Sequence, residues 1–216
     1  MQVQKFTFNP FQENTYVVYD ETKMCIIIDP GCYDANEQQQ LTQFIESQGL
    51  TPVAVVNTHC HIDHIFGIRF CTSTYGIDFI CHEKDVVVLE SGRTTAQMYG
   101  LSYLPSPDPH SFITEGENVN FGNSSLEVRF TPGHSPGSVC FVAHEEKFVI
   151  GGDVLFRGSI GRTDLPGGDF DTLIQSIRAE LFTLPDAYTV YSGHGEETTI
   201  GFEKQYNPFL NGQFTM

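Results

Sequence analysis

Short apolar runs punctuated by Gly, Pro, Asp and Asn alternate along the chain with segments of helical spacing. Residues 15–19 (TYVVY) and 25–28 (CIII) predict strands joined by a turn at 20–23. Within 37–48, Leu41, Phe44, Ile45 and Gln48 share one helical face, and Gly49 suits the left-handed stop position. Residues 53–57 (VAVVN) predict a short buried strand, 63–75 a helix ended by Gly76, 78–81 (DFIC) a strand, and 83–90 a short helix. Pro105, Pro107 and Pro109 interrupt regular structure, so 91–114 reads as an irregular excursion, either a loop on the rim of a site or a surface detour. Beyond it, 126–130, 138–143, 148–150 and 189–191 predict strands. Residues 171–181 predict a helix with Leu173, Ile174, Ile177 and Leu181 on one stripe, and acidic residues at 169–171 favour its N-terminus. Strands, then αβ units, then strands again predict an α/β sandwich of two similar halves instead of one parallel sheet.

Composition narrows the class. The chain has 216 residues, 40% of them hydrophobic, which suits one globular domain spanning 1–216. Its 27 acidic and 11 basic residues leave a net charge of −16, which repels phosphate backbones and anionic membranes. Nucleic-acid and membrane partners are therefore not expected, whereas a small anionic substrate stays open because a bound cation reverses the local sign. No apolar run approaches the roughly 20 residues of a membrane span. The first twenty residues show no basic segment followed by an apolar run, so no secretory leader is expected and the cytoplasm is the expected compartment. Six scattered cysteines without a CxxC pair then read as reduced thiols, mostly in the core. Nothing in the sequence sets the oligomeric state.

The chemistry concentrates in Thr58-His59-Cys60-His61-Ile62-Asp63-His64. On extended chain, residues two apart point the same way, so His59 and His61 can reach one metal ion. Asp63 and His64, at the first turn of a helix, can splay towards a neighbouring point. Cys60, between the two histidines, should face the opposite side and belong to the core. Four further residues share a placement just past an apolar strand, flanked by Gly or Pro: Asp29, His134, Asp153 and His194. Strand ends of α/β folds are where sites assemble, and glycine lets backbones approach closely. His82, His110 and His144 fall outside these motifs and read as surface or packing residues.

These residues together resemble the metallo-β-lactamase superfamily over nearly the whole chain, from Asn14-Thr15-Tyr16 to Asn207-Pro208-Phe209. The resemblance implies an αββα four-layer sandwich and two divalent metal ions, zinc foremost, with iron or manganese as alternatives. By that resemblance His59, His61 and His134 hold one ion and Asp63, His64 and His194 the other. Asp153 bridges both, Asp63 and Asp153 are the catalytic carboxylates, and Asp29 orients a ligand histidine. The segment from Phe156 to Leu165, with Gly161-Arg162-Thr163-Asp164 and the Pro-Gly-Gly-Asp after it, is similar to the short bacterial glyoxalase II-like hydrolases. That branch implies hydrolysis of a hydroxyacyl thioester such as S-lactoylglutathione by a hydroxide shared between the metals. Full-length glyoxalase II enzymes carry a basic C-terminal extension that grips glutathione. This chain ends 22 residues beyond His194, with Lys204 the one basic residue of that tail. Arg162 is the candidate replacement anion contact, or else a structural partner of Asp164 or Asp169. Alternatives on the same scaffold are a mononuclear-iron persulfide dioxygenase using His59, His134 and Asp153, a lactonase or β-lactamase, and a metal-binding module without turnover.

Overall fold

The computed structural model describes residues 1–211. Residues 212–216, the end of the expected 1–216 domain, lie outside the described residues. The first sheet runs in chain order through β1 (Gln2–Phe8), β2 (Glu13–Tyr19), β3 (Met24–Ile28), β4 (Thr51–Val56), β5 (Asp78–Cys81) and β6 (Ser111–Phe112). Its first three strands are antiparallel and β3 to β6 are parallel. The second half supplies β7 (Asn118–Phe121), β8 (Ser124–Phe130), β9 (Val139–Ala143) and β10 (Phe148–Gly152). A small hairpin of β11 (Leu155–Phe156) and β12 (Ser159–Ile160) follows, then β13 (Thr189–Ser192) and β14 (Thr198–Thr199). The second sheet is ordered β14-β13-β10-β9-β8-β7, with only β10 and β13 parallel.

The two-residue period of a strand divides each sheet's apolar side chains between two cores. Tyr16, Val18, Ile26, Ile28 and Val56 face Leu126, Val128, Val139, Phe141 and Ile150 between the sheets. Their alternates Val17, Cys25, Ile27 and Val55 face outward onto α1 (Ala35–Gln48), α2 (Ile62–Ile65), α3 (Ile68–Tyr75) and α4 (Val86–Met98), through residues such as Leu41, Ile45, Ile65, Ile68 and Val88. On the far side, Cys140, Val142, Val149 and Val190 pack on Leu173 of α5 (Phe170–Ser176) and Ile200 of α6 (Ile200–Tyr206). The result is the four-layer αββα sandwich, and burying each large aliphatic side chain contributes about 1.5–3 kcal/mol. All six cysteines are free and buried. Among the described residues no helix is long and apolar enough to cross a membrane.

Three helices and a set of short or edge elements differ from the expectation, each for a local reason. The helix expected over 63–75 is two helices, because at Gly67 the amide turns to donate to the Pro30 carbonyl, 2.7 Å away. The close approach needs glycine, since a Cβ there would sit 2.4 Å from Cys32 Sγ. The helix expected over 83–90 begins as a tight turn at Glu83–Asp85 and then continues through α4 to Met98, into the stretch read as irregular. Gly92 and two threonines mask that helix in the sequence. The glycine is there because Ile65 and Tyr103 crowd its α-carbon. The helix expected over 171–181 is α5 followed by a wide turn at Ile177–Leu181. Finally, β1, β6, β7, the β11–β12 hairpin, β14 and α6 were not predicted: all are short or at sheet edges, where apolar periodicity is weakest.

Candidate metal centre

The site forms where β4, β8, β10 and β13 end. After β4 the chain leaves the sheet at Asn57, whose side-chain amide donates to the His59 and His64 carbonyls at 3.1 and 2.9 Å. That wraps the loop around one buried amide and turns His59, His61 and His64 inward. His61 stands at the N-terminus of α2 but makes no capping bond with its ring, so the imidazole is free to face the site. The His134 loop follows β8, Asp153 follows the Gly151-Gly152 end of β10, and His194 follows β13. Gly152 (φ +50°) and Gly193 are needed for closeness: a Cβ on the first would lie 2.3 Å from Thr58 Oγ1, and on the second 2.2 Å from Asp153 Oδ1.

All seven expected ligands converge. His59, His61 and His134 each offer a nitrogen within 4.8 Å of the others, as do the ligand atoms of Asp63, His64 and His194. His134 Nε2 lies 2.9 Å from His61 Nδ1 and 3.3 Å from His59 Nε2. His194 Nε2 lies 3.1 Å from Asp63 Oδ2, and His64 Nε2 lies 3.7 Å from the same oxygen. Asp153 stands between the groups, with Oδ2 3.5 Å from both His134 Nε2 and His194 Nε2, and Oδ1 3.5 Å from His64 Nε2. Two atoms aimed into this space, His64 Nε2 and Asp153 Oδ1, are buried without a hydrogen-bond partner. Leaving such atoms unpaired is costly, and a shared cation would satisfy both. The donor set of imidazoles and carboxylates fits a divalent ion.

The electrostatics point the same way. Burial, reinforced by the surrounding histidines, holds His59 far below its ordinary range, and burial with His134 beside it brings His61 to about 3. Those imidazoles are neutral and carry lone pairs at neutral pH. Burial opposes charge on His64 and His194 as well, but Asp63 and Asp153 outweigh it and raise both. Asp63 and Asp153 in turn stay below the usual carboxylate range, because His64 and His194 overcome the cost of burying them.

Behind the ligands, Asp29 sits at a positive φ of 49° and is almost fully buried. It accepts from the Thr58 amide at 2.6 Å and from the Thr58 hydroxyl, and its Oδ2 lies 3.1 Å from His64 Nδ1. Asp29, His59 and His64 also form a close trio, but those Asp29 bonds make it a support for His64. His134 Nδ1 is held at 2.8 Å by the Arg162 carbonyl. The Arg162 guanidinium takes Asp164 in a two-pronged pair at 2.7 and 2.8 Å, while Asp169 instead caps α5 through the Thr172 amide. Arg162 nonetheless lines the cavity over the site. Cys60 is fully buried on the opposite side of the loop. His82 stacks on Phe130, His110 accepts from the Phe79 amide, and His144 pairs with Glu127.

The sequence reading missed the residues that bind the two halves together here. Asn14 donates to the Ser192 and Gly195 carbonyls, both at 3.0 Å, and the Gln12 carbonyl lies 3.2 Å from His194 Nδ1. Glu13 is a fully buried carboxyl, pushed well up by that burial, whose Oε1 lies 3.8 Å from His64 Nδ1. A run of polar residues at a strand start carries no signal of that kind. Above the ligands a cavity of about 550 Å³ opens, with Phe11, Tyr99, Phe156, Ile160 and Leu165 among its walls. It exposes His61, Asp63, His134, Asp153 and His194 to one common space.

Comparison with known proteins places this geometry. The family described as Metallo-beta-lactamase superfamily matches residues 8–194. The chain is 40% identical over 214 residues to the probable metallo-hydrolase YqgX of Bacillus subtilis, covering 98% of this chain and 99% of that protein. It is 39% identical to the hydroxyacylglutathione hydrolase GloC of Haemophilus influenzae, covering 99% of this chain and 100% of GloC. The crystal structure of BLEG-1 B3 metallo-beta-lactamase superposes with a TM-score of 0.90 at 36% identity over 98% of this chain and all of that one. The crystal structure of TTHA1623 in a di-iron-bound form gives 0.87 at 38% identity, covering 96% of this chain and 100% of that one.

Proposed function

Because the chain belongs to the metallo-β-lactamase superfamily, a family of metallo-hydrolases, we propose that it is a two-metal hydrolase cleaving a hydroxyacyl thioester such as S-lactoylglutathione. The observation that carries this reading is the position of Asp153 between two three-residue donor groups that open on one cavity. His59, His61 and His134 would hold one ion, Asp63, His64 and His194 the other, and Asp153 both. Zinc is the proposed metal, and the di-iron form of TTHA1623 keeps iron the first alternative. Divalent ions there would supply Lewis acidity, lowering the pKa of a bound water to about 7 in the case of zinc.

The chain's own groups do the rest. Asp63 and Asp153 are ionised and reach the cavity, so their oxygens can orient an entering water by accepting a hydrogen bond from it. The apolar walls from Phe11, Phe156 and Ile160 limit the water around the reacting carbonyl. Arg162, at the cavity wall with Nη1 outside its pair with Asp164, is the proposed contact for a substrate carboxylate. No serine or cysteine nucleophile is required, consistent with Cys60 facing away.

The complete Asp63, His64 and His194 group argues against the one-iron dioxygenase alternative. The likeness to BLEG-1 favours β-lactam hydrolysis as a second reading. Metal quantification on anaerobically purified protein, paired with assays on S-lactoylglutathione and on a β-lactam, tests all three. Two metals per chain, thioester cleavage and its loss in Asp63→Ala are expected. A fully metallated protein inert to acyl thioesters refutes the proposal. One iron per chain with oxygen uptake on a persulfide gives the site to the dioxygenase.

A further inference from the structure

Asp85 follows β5 in the tight turn that leads into α4, and its side chain is fully buried. It lies 25 or more positions from every proposed ligand except those of the loop it touches through Cys60. Its Oδ2 accepts from the Cys60 amide, the backbone point midway between His59 and His61. Its Oδ1 accepts from the Ser135 hydroxyl at 2.6 Å and the Gly137 amide at 2.7 Å, both in the loop that carries His134. The three donors it gathers therefore come from two loops, one from each half of the sandwich, and these are the loops that bear the three histidines of the first donor group. Gly137 is shaped for the same contact: a Cβ there would lie 2.6 Å from the Asp85 amide and 2.8 Å from its Oδ1. Burial pushes the Asp85 carboxyl up, and the bonds from Ser135, Gly137 and Cys60 work against that rise.

A carboxylate suits this place because both of its oxygens accept and neither donates. A fold needing only to fill the space would place an apolar residue here, since a buried carboxyl without a cationic partner is expensive. We infer that Asp85 is a positioning residue, one carboxylate that fixes the spacing between the His59–His61 loop and the His134 loop so that three imidazoles meet at one metal ion. The inference rests on the two-metal reading above and adds a residue to it. Asp85 touches neither metal nor substrate; it acts through the loop backbones.

The test titrates Zn²⁺ against a chromophoric chelator into metal-free wild type, Asp85→Asn, Ser135→Ala and Glu203→Gln, and records thermal unfolding of each metal-free protein. Glu203 is the matched control, a buried carboxyl in α6 that binds Thr198, Gly158 and Asn207 and no histidine loop. In Asp85→Asn one amide N–H must face a donor. Zinc binding by the His59, His61 and His134 group is then expected to weaken about 10- to 100-fold. Glu203→Gln should lose stability and bind zinc as wild type does. Asp85→Asn that unfolds earlier, as Glu203→Gln does, yet keeps wild-type zinc affinity overturns the inference. If Asp85→Asn does not fold, Ser135→Ala decides: roughly threefold or greater weakening supports the positioning role, and unchanged affinity overturns it. A wild type that binds no zinc instead removes the two-metal reading itself, a result separable from the others.

Discussion

Replacing Asp29 by asparagine changes one atom and asks whether His64 is held for a metal. In the native site one Asp29 oxygen takes the Thr58 amide and the other faces His64 Nδ1 at 3.1 Å, leaving His64 Nε2 aimed at Asp63 and Asp153. Asparagine keeps one acceptor. Its NH₂ must point at either the Thr58 amide or the His64 Nδ1 proton, and in both orientations a donor meets a donor. The lost bond is charge-assisted, with a contribution of about 1.5–3 kcal/mol, and since 1.4 kcal/mol is about a factor of ten, one to two decades of affinity are at stake. The loss should fall on the ion held by Asp63, His64 and His194. Glu13 Oε1, unpartnered and 3.8 Å from His64 Nδ1, is the acceptor nearest to taking over. Asp29→Asn combined with Glu13→Gln should therefore lose more than Asp29→Asn alone. Stepwise zinc titration of the metal-free proteins, with stoichiometry fixed by elemental analysis, resolves the two equivalents. If both bind Asp29→Asn as tightly as wild type, Asp29 does not orient His64 for a metal and the reasoning fails.

Three further outcomes follow from the same geometry. Gly133 has φ +127° and an added Cβ would lie 2.3 Å from the Leu173 amide, so Gly133→Ala should destabilise the metal-free protein by about 2 kcal/mol or more. That corresponds to roughly 4–8 °C in a chain of this size, and an unchanged melting temperature contradicts it. Arg162→Ala should raise KM for S-lactoylglutathione by roughly tenfold, the value of about one charged hydrogen bond, with kcat nearly unchanged; an unaltered KM leaves Arg162 only its pair with Asp164. His59 and His61 are held below their ordinary pKa and bind an ion without losing a proton, whereas His64 and His194 are raised and must release theirs. As pH falls from 7 towards 5, the affinity of the Asp63, His64 and His194 group should thus drop by up to about tenfold per unit for each proton displaced, and that of the His59, His61 and His134 group should change less; parallel slopes in titrations at several pH values contradict this.

The seven proposed ligands and the supporting Asp29 were legible because each carries a short-range mark. His59, His61, Asp63 and His64 announce themselves by spacing, and Asp29, His134, Asp153 and His194 by following an apolar strand beside Gly or Pro. The two sheets were legible from the same strands. What stayed hidden acts at long range through the backbone. Asp85 sits in a charged run that reads as solvated surface, yet its partners are 25, 50 and 52 positions away. Glu13 and Asn14 open a strand, and only the packing of that strand's end on the His194 loop gives them a role. Helix α4 was hidden by Gly92, whose small size serves Tyr103 and Ile65 instead of helix propensity.

The division of the ligands between the halves has an energetic consequence. The first donor group takes His59 and His61 from the first half and His134 from the second, and the other takes Asp63 and His64 from the first and His194 from the second. Neither half owns a complete group, so neither can hold an ion tightly until the sheets have packed across Ile26, Ile28, Phe141 and Ile150. Metal would then bind the assembled sandwich and not the unfolded chain, stabilising the native state by about 2.7 kcal/mol at a hundredfold excess over Kd for each independent site. Without metal, the same closeness sets Asp63 and Asp153 beside one another and crowds five imidazoles together. The carboxylates and the raised imidazoles of His64 and His194 offset one another only in part. Divalent cations held among these groups would relieve the charge crowding that remains.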